Sequence, residues 1–170
     1  DWSLNVSNSA AGFVRAGHTA PYTGMNFLQQ VTYAHDNQMG DMSPDDIDMV
    51  IIGGGINDYN QTDRITMAYS TIRGIQTLFK NAQIYYFPLA SGDLVMDADH
   101  YDALNEACYG CAEGGAQVFN NAMWWLCPMK TRTSYGDHLH PNSQGYHNMG
   151  TFMASSLCGT YLTSSLWDAQ

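Results

Sequence analysis

Asp137 and His140 stand three residues apart in Ser134-Tyr135-Gly136-Asp137-His138-Leu139-His140-Pro141, and they are the pair in this chain best suited to acid–base chemistry. A carboxylate at that spacing in a glycine-containing turn can accept the Nδ1 proton of the imidazole. This fixes the tautomer and leaves Nε2 as a general base. Pro141 suits the first position of a helix, so His140 is expected at a loop end facing a cleft. Far upstream, Gly53-Gly54-Gly55-Ile56-Asn57-Asp58 ends a glycine-rich turn in a side-chain amide. An amide held there can donate to a developing oxyanion, a contact that typically contributes about 2.7–4 kcal/mol to the barrier difference. The bland alternative is that Asn57 and Asp58 shape a turn or cap the next helix.

These residues need strands and helices to bring them together. Leu4–Ala10 reads as a short strand running into the small residues Ala11-Gly12. Phe27, Leu28, Val31 and His35 lie at helical spacing, which predicts a helix from about Met25 to Gln38. Ser43-Pro44-Asp45-Asp46 predicts a turn or short helical cap. Ile47–Ile52 then predicts a buried strand bounded by Gly53-Gly54-Gly55, with Asn57 just past its carboxyl end. Thr62–Asn81 is the clearest helix, with Ile65, Ala68, Tyr69, Ile72, Ile75 and Phe79 on one face.

Gln83–Pro88 is the next strand, ended by proline, and a helix from Asp97 to about Gly110 follows it. Ala116–Asn120 is a last short strand, and Ala122–Leu126 a helical turn or pocket wall. Asn142–Cys158 closes the fold as a helix with Tyr146, Met149, Phe152, Met153 and Leu157 inward. Residues 161–170 form a tail beyond a domain spanning 1–160. Strands alternating with helices at crossover spacing imply a parallel sheet with helices on both faces, a three-layer α/β/α arrangement. In such sheets ligands bind at the carboxyl ends of the strands, where Asn57 falls.

The Gly55-Ile56-Asn57-Asp58 and Asp137-His138-Leu139-His140-Pro141 segments resemble the G-x-N-D and D-x-x-H-P blocks of the SGNH (GDSL-type) hydrolases. Asn8-Ser9-Ala10-Ala11-Gly12 resembles that family's second block, and the likeness extends from Leu4 to about Leu157. It implies a flavodoxin-like sheet and a serine esterase that needs no metal or other cofactor. Gly12 N–H and Asn57 would be oxyanion donors, His140 the general base and Asp137 its orienting acid. Family members act on acetylated sugars, lipids and thioesters. The polar surface and the supply of Tyr and Trp favour carbohydrate O-deacetylation. Asp58, Trp124 and Trp125 are candidates to contact substrate, the indoles by stacking on a sugar ring.

The family's first block, a strand ending in Gly-Asp-Ser, has no counterpart here. Asp1-Trp2-Ser3-Leu4 matches it by letters only, and Ser9 lacks a strand-to-helix elbow. The flavodoxin-like order 2-1-3-4-5 puts the missing strand inside the sheet, between Leu4–Ala10 and Ile47–Ile52. Each buried backbone group left unpaired there costs about 1–3 kcal/mol, against a total stability of roughly 5–15 kcal/mol. A complementing strand carrying the nucleophile is therefore expected, on a segment preceding Asp1 or on a partner chain.

Composition narrows the partners. The chain has 170 residues, enough to bury a core, and a formal net charge of -10 from 16 acids against six Lys and Arg, which disfavours nucleic acid and anionic membranes. No apolar run reaches the roughly 18 residues of a membrane span. An extracellular, cell-surface or virion-associated setting fits the neutral polar residues. Cys108, Cys111, Cys127 and Cys158 are read as buried thiols, disulfides or, at the Cys108–Cys111 spacing, a redox or metal pair. Two readings compete with the esterase. One is a non-catalytic glycan-binding or adhesion module on the same scaffold, and the other is a metal site built from Asp137, His138, His140 and His147.

Overall fold

A computed structural model describes residues 3–89, 97–120, 140 and 142–158. The chain divides into two compact units, one formed by Asp1–Ala90 with Met96–Asn120, the other by Ser91–Val95 with Asn121–Gln170.

In the first unit, three parallel strands run in the order β1 (Met49–Gly55), β2 (Gln83–Leu89), β3 (Gln117–Val118). Met49 pairs with Gln83 and Gly55 with Leu89, and Tyr85 pairs with Gln117. Parallel neighbours need crossovers, and helices α2 (Arg64–Leu78) and α3 (Ala98–Gly114) provide them. Helix α1 (Phe27–Asn37) precedes the sheet. Its start is fixed by a capping box in which Asn26 accepts from Gln29 N–H and the Gln29 side chain accepts from Asn26 N–H.

One core lies between a single face of the sheet and the helices. Ile52 of β1 and Ile84 and Tyr86 of β2 meet Ala68, Ile72 and Ile75 of α2 and Ala107 and Cys111 of α3, with Leu28 and Val31 of α1 packed against them. Even-numbered residues of both strands supply this face because side chains alternate along a strand. Helices α2 and α3 approach closely. A Cβ at Gly110 would fall 2.4 Å from the Ile65 carbonyl oxygen, so glycine sets the interhelical distance. Arg64 bridges the same pair of helices, its guanidinium 2.6 Å from Glu106 and 2.8 Å from Asp99.

Several expectations shift. Leu4–Ala10 forms no strand; residues 3–8 carry no regular structure, because no described strand offers them a ladder. Strand β1 starts two residues later than predicted and runs on through all three glycines. It is not buried on both faces, since Met49 and Ile51 are 46% and 45% exposed. On α2 the inward stripe is Ala68, Thr71, Ile72 and Ile75, while Ile65 and Tyr69 face outward. The three helices of this unit share the core on the face of Ile52, Ile84 and Tyr86, while Phe87 on the other face of β2 is also buried, which is compatible with the expected α/β/α layout.

In the second unit, helix α4 (Ser143–Leu157) starts at Asn142, whose side chain accepts from Gly145 N–H at 2.9 Å. Phe152 is buried there, but Tyr146 is exposed rather than inward. Among the described residues no helix is long and apolar enough to cross a membrane.

Candidate active site

The end of β1 is bent so that Asn57 and Asp58 face the loop of residues 8–25. Gly55 makes the bend with φ +103°, a left-handed conformation open to glycine, and a Cβ there would lie 2.5 Å from the Tyr86 hydroxyl. That hydroxyl, buried with its ring, donates to the Gly54 carbonyl at 3.0 Å and locks the turn from below. Burial pushes the Tyr86 phenol well above its ordinary pKa, so it stays a donor. The chain then enters a single 3-10 turn, Ile56–Asp58.

Asp58 is 1% exposed, and its two oxygens take three main-chain N–H groups: Phe13 at 2.8 Å, Val14 at 3.1 Å and Arg15 at 2.9 Å. This carboxylate is a post for the loop. With its oxygens aimed at the backbone it does not reach out to a substrate, the role expected of it. Gly12 explains itself by the same contact, because a Cβ at that position would stand 2.3 Å from an Asp58 oxygen. The Gly12 N–H donates to the Arg15 carbonyl at 2.9 Å. As folded, then, the expected oxyanion donor is occupied within its own turn.

Asn57 is placed differently. One amide hydrogen goes to the Ala11 carbonyl at 3.0 Å, which orients the group. The second hydrogen has no partner among the described residues. The residue lines a cavity of about 250 Å³ together with Ser7, Asn8, Ala11, Val50, Ile52 and Gly53. An oriented amide with a spare donor at the mouth of a mainly apolar cavity can hold a carbonyl oxygen as it gains charge.

A stack unforeseen in the sequence stands beside this turn. The Arg15 guanidinium lies 4.8 Å over the Tyr59 ring and donates to the Tyr59 carbonyl at 3.3 Å. Tyr59 in turn stacks on His100 at 4.4 Å. His100 is held by Asp97, the N-cap of α3, at 2.6 Å, and that hydrogen bond draws the Asp97 pKa below the usual range. Asn60 N–H donates to Asp99. The signal for Asp58 was present in the composition: with six cationic side chains in the chain, an acid beside three glycines is satisfied most readily by backbone N–H groups.

His140 belongs to the second unit, exposed and two residues before the Asn142 cap of α4. Asp137, His138, Pro141, Trp124 and Trp125 lie outside the described residues, as do Cys127, the Ala122–Leu126 segment and the tail. Cys108, Cys111 and Cys158 are free thiols, and burial raises the pKa of Cys108 to about 11 and that of Cys111 further. Thiols so desolvated are poor nucleophiles and poor metal ligands. Among the described residues no group of three or more metal-ligating side chains converges.

No protein-family model matches this sequence, and no curated protein matches it either. The chain is a mixed α/β protein whose described residues form a three-stranded parallel sheet.

Proposed function

We propose that this chain contributes to a serine-type ester hydrolase with an SGNH-like active site, acting on O-acetylated carbohydrate. The observation that carries the reading is the Asn57 amide. It stands at the carboxyl end of a parallel strand, is oriented by Ala11, and keeps a donor for a cavity beside β1. His140 acts as general base and Asp137 fixes its tautomer. A serine from outside these 170 residues attacks the ester carbonyl, and His140 takes the hydroxyl proton. Asn57 and the serine's own N–H hold the oxyanion, since Gly12 N–H is bonded to Arg15. The alcohol leaves with the proton from His140, and water then hydrolyses the acyl-enzyme by the reverse proton path.

None of the described serines near Asn57 supplies the nucleophile. Ser3 and Ser7 lie in the irregular 3–8 segment, Ser9 follows it directly, and no described helix begins before Phe27, so no strand-to-helix elbow is built. The same observation favours a second reading, a glycan-binding module on this scaffold that performs no chemistry.

The two are separated by assaying the full-length native protein on p-nitrophenyl acetate and on acetylated oligosaccharides. The hydrolase reading expects acetate release that His140→Ala abolishes and a chelator leaves intact. Oligosaccharide binding with no acetate release would establish the module instead. Acetate release that survives His140→Ala, or that a chelator stops, would remove the serine mechanism.

A further inference from the structure

Arg15 and Arg64, the two half-buried arginines of this unit, are held in opposite ways. Arg64 puts its guanidinium on two carboxylates, Glu106 at 2.6 Å and Asp99 at 2.8 Å. Arg15 instead lies on the Tyr59 ring and gives one Nη2 hydrogen to the Tyr59 carbonyl at 3.3 Å. Its Nε–H is buried and has no hydrogen-bond partner. Leaving such a donor unpaired costs about 1–3 kcal/mol, and an arginine usually relieves that cost on a carboxylate. The chain has 16 acids, so acids are not scarce. Those of this neighbourhood are used elsewhere: Asp58 takes the N–H groups of residues 13–15, Asp97 holds His100, and Asp99 takes Arg64 and the Asn60 N–H.

The cation is also held in one place. Tyr59 stacks on His100 at 4.4 Å and 21°, and His100 is tied to Asp97, the N-cap of α3. The main chain of Arg15 is fixed on both sides, its N–H on Asp58 and its carbonyl on the Gly12 N–H. With one face on an aromatic ring and Nη2 steered by a carbonyl, the guanidinium is oriented before any ligand arrives. Its Nη1 donates to no described group. The planar fork of an arginine matches the two oxygens of a carboxylate, which an ammonium does not.

We infer that Arg15 is a specificity-determining residue that binds the carboxylate of an acidic sugar. The Asn57 amide bonds Ala11, and Asp58 bonds residues 13–15, so amide and cation are tied to the same loop. The carboxylate therefore belongs to the sugar that carries the ester, or to its neighbour in the glycan. Only the ester part of this statement rests on the hydrolase reading; carboxylate binding stands without it. The net charge of -10 opposes an anionic ligand at long range. Physiological salt screens that repulsion beyond about 8 Å, so contact with the guanidinium decides. Tyr59, His100 and Asp97 are positioning residues, acting through Arg15.

The test follows the Arg15 Nε–H resonance of the isotope-labelled 170-residue chain by NMR. Glucuronate, galacturonate and N-acetylneuraminate are added in turn, each beside its uncharged methyl ester. Saturable movement of that resonance by at least one acid at millimolar concentration, and by none of the esters, is the expected result. Arg15→Gln should weaken binding of that acid about tenfold, and Arg15→Lys should recover part of the loss. The wild-type titration decides the matter even where Arg15→Gln fails to fold. In the full-length native protein, the preference in acetate release for an O-acetylated acidic sugar over its methyl ester should fall about tenfold in Arg15→Gln. Acid binding without acetate release sinks only the hydrolase reading. A resonance that no acid moves, equal movement by the esters, or binding that Arg15→Gln leaves unchanged overturns the inference. Inorganic sulfate binding more tightly than every acid would assign the cation to a tetrahedral anion and overturn it too.

Discussion

The two edges of the sheet's first strand have opposite fates. Toward β2 the strand β1 pairs in parallel register over Met49–Gly55, above a core of Ile72, Ile75 and Tyr86 that is 0% exposed. Away from β2 the same strand pairs with no strand among the described residues and lays aliphatic side chains beside a groove. The carboxyl end joins both, because Asp58 closes the loop of residues 11–15 while one Asn57 hydrogen has no partner among the described residues. The lesson is that the helix-covered side completes its pairing within the described residues, whereas on the other side no described strand pairs with β1.

The largest effect should come from breaking the closed end. Asp58→Ala strands one buried and two partly buried N–H groups, and unfolding by urea should show a loss of about 3 kcal/mol. Asp58→Asn, which keeps an acceptor, should lose less. If Asp58→Ala is neutral, the loop is not held as described and the contrast between the two ends fails. Asn57→Ala should do the reverse, losing only about 1 kcal/mol with the Ala11 hydrogen bond while lowering kcat of the acetate-releasing protein about 10²–10³-fold.

Weaker effects sharpen the closed side. Arg64 and Glu106 lie across α2 and α3, with Glu106 37% exposed, so solvent screening limits their coupling. A double-mutant cycle with Arg64→Met and Glu106→Gln should give about 0.5–1 kcal/mol. The hydrogen bond from Arg64 also holds the Asp99 carboxyl below its usual range. A carboxylate whose pKa falls on folding stabilises the protein above its unfolded pKa, and the contribution is lost as pH drops through the folded value. Acid titration of stability should therefore be flatter in Arg64→Met below the ordinary carboxylate range.

Thiol labelling distinguishes the buried side directly. At pH 8 the exposed Cys158 should react with a disulfide reagent well before Cys108 and Cys111, and the rate at Cys108 should climb toward pH 11. The smallest signal is in the backbone of the isolated chain. Amides of Met49, Ile51 and Gly53 should exchange faster than those of Val50 and Ile52.

Much of the element order was legible. Helices at 27–37, 64–78, 98–114 and 143–157, and strands at 49–55 and 83–89, fall close to where apolar spacing, glycines and proline put them. Periodicity works there because each element buries one face of its own. It failed at Leu4–Ala10, whose apolar alternation has no described strand to pair with, and at Ile65 and Tyr69, since spacing alone cannot say which of two adjoining stripes meets α3. Gly12 shows the limit for function. Its letters fit an oxyanion donor, but the direction of a backbone N–H depends on the loop's path, which Asp58 sets from 46 residues further along the chain.

Local chemistry written in the chain determined the glycine bend after β1, the caps of α1 and α4, and the presence of an amide at the strand's end, because each depends on residues within a few positions. Tertiary structure alone decided that Asp58 is a buried support, that the Asn57 amide is turned onto the Ala11 carbonyl, and that among the described residues β1 pairs on one side. Those outcomes depend on which distant segments arrive at each polar group, and spacing along a sequence carries no record of that.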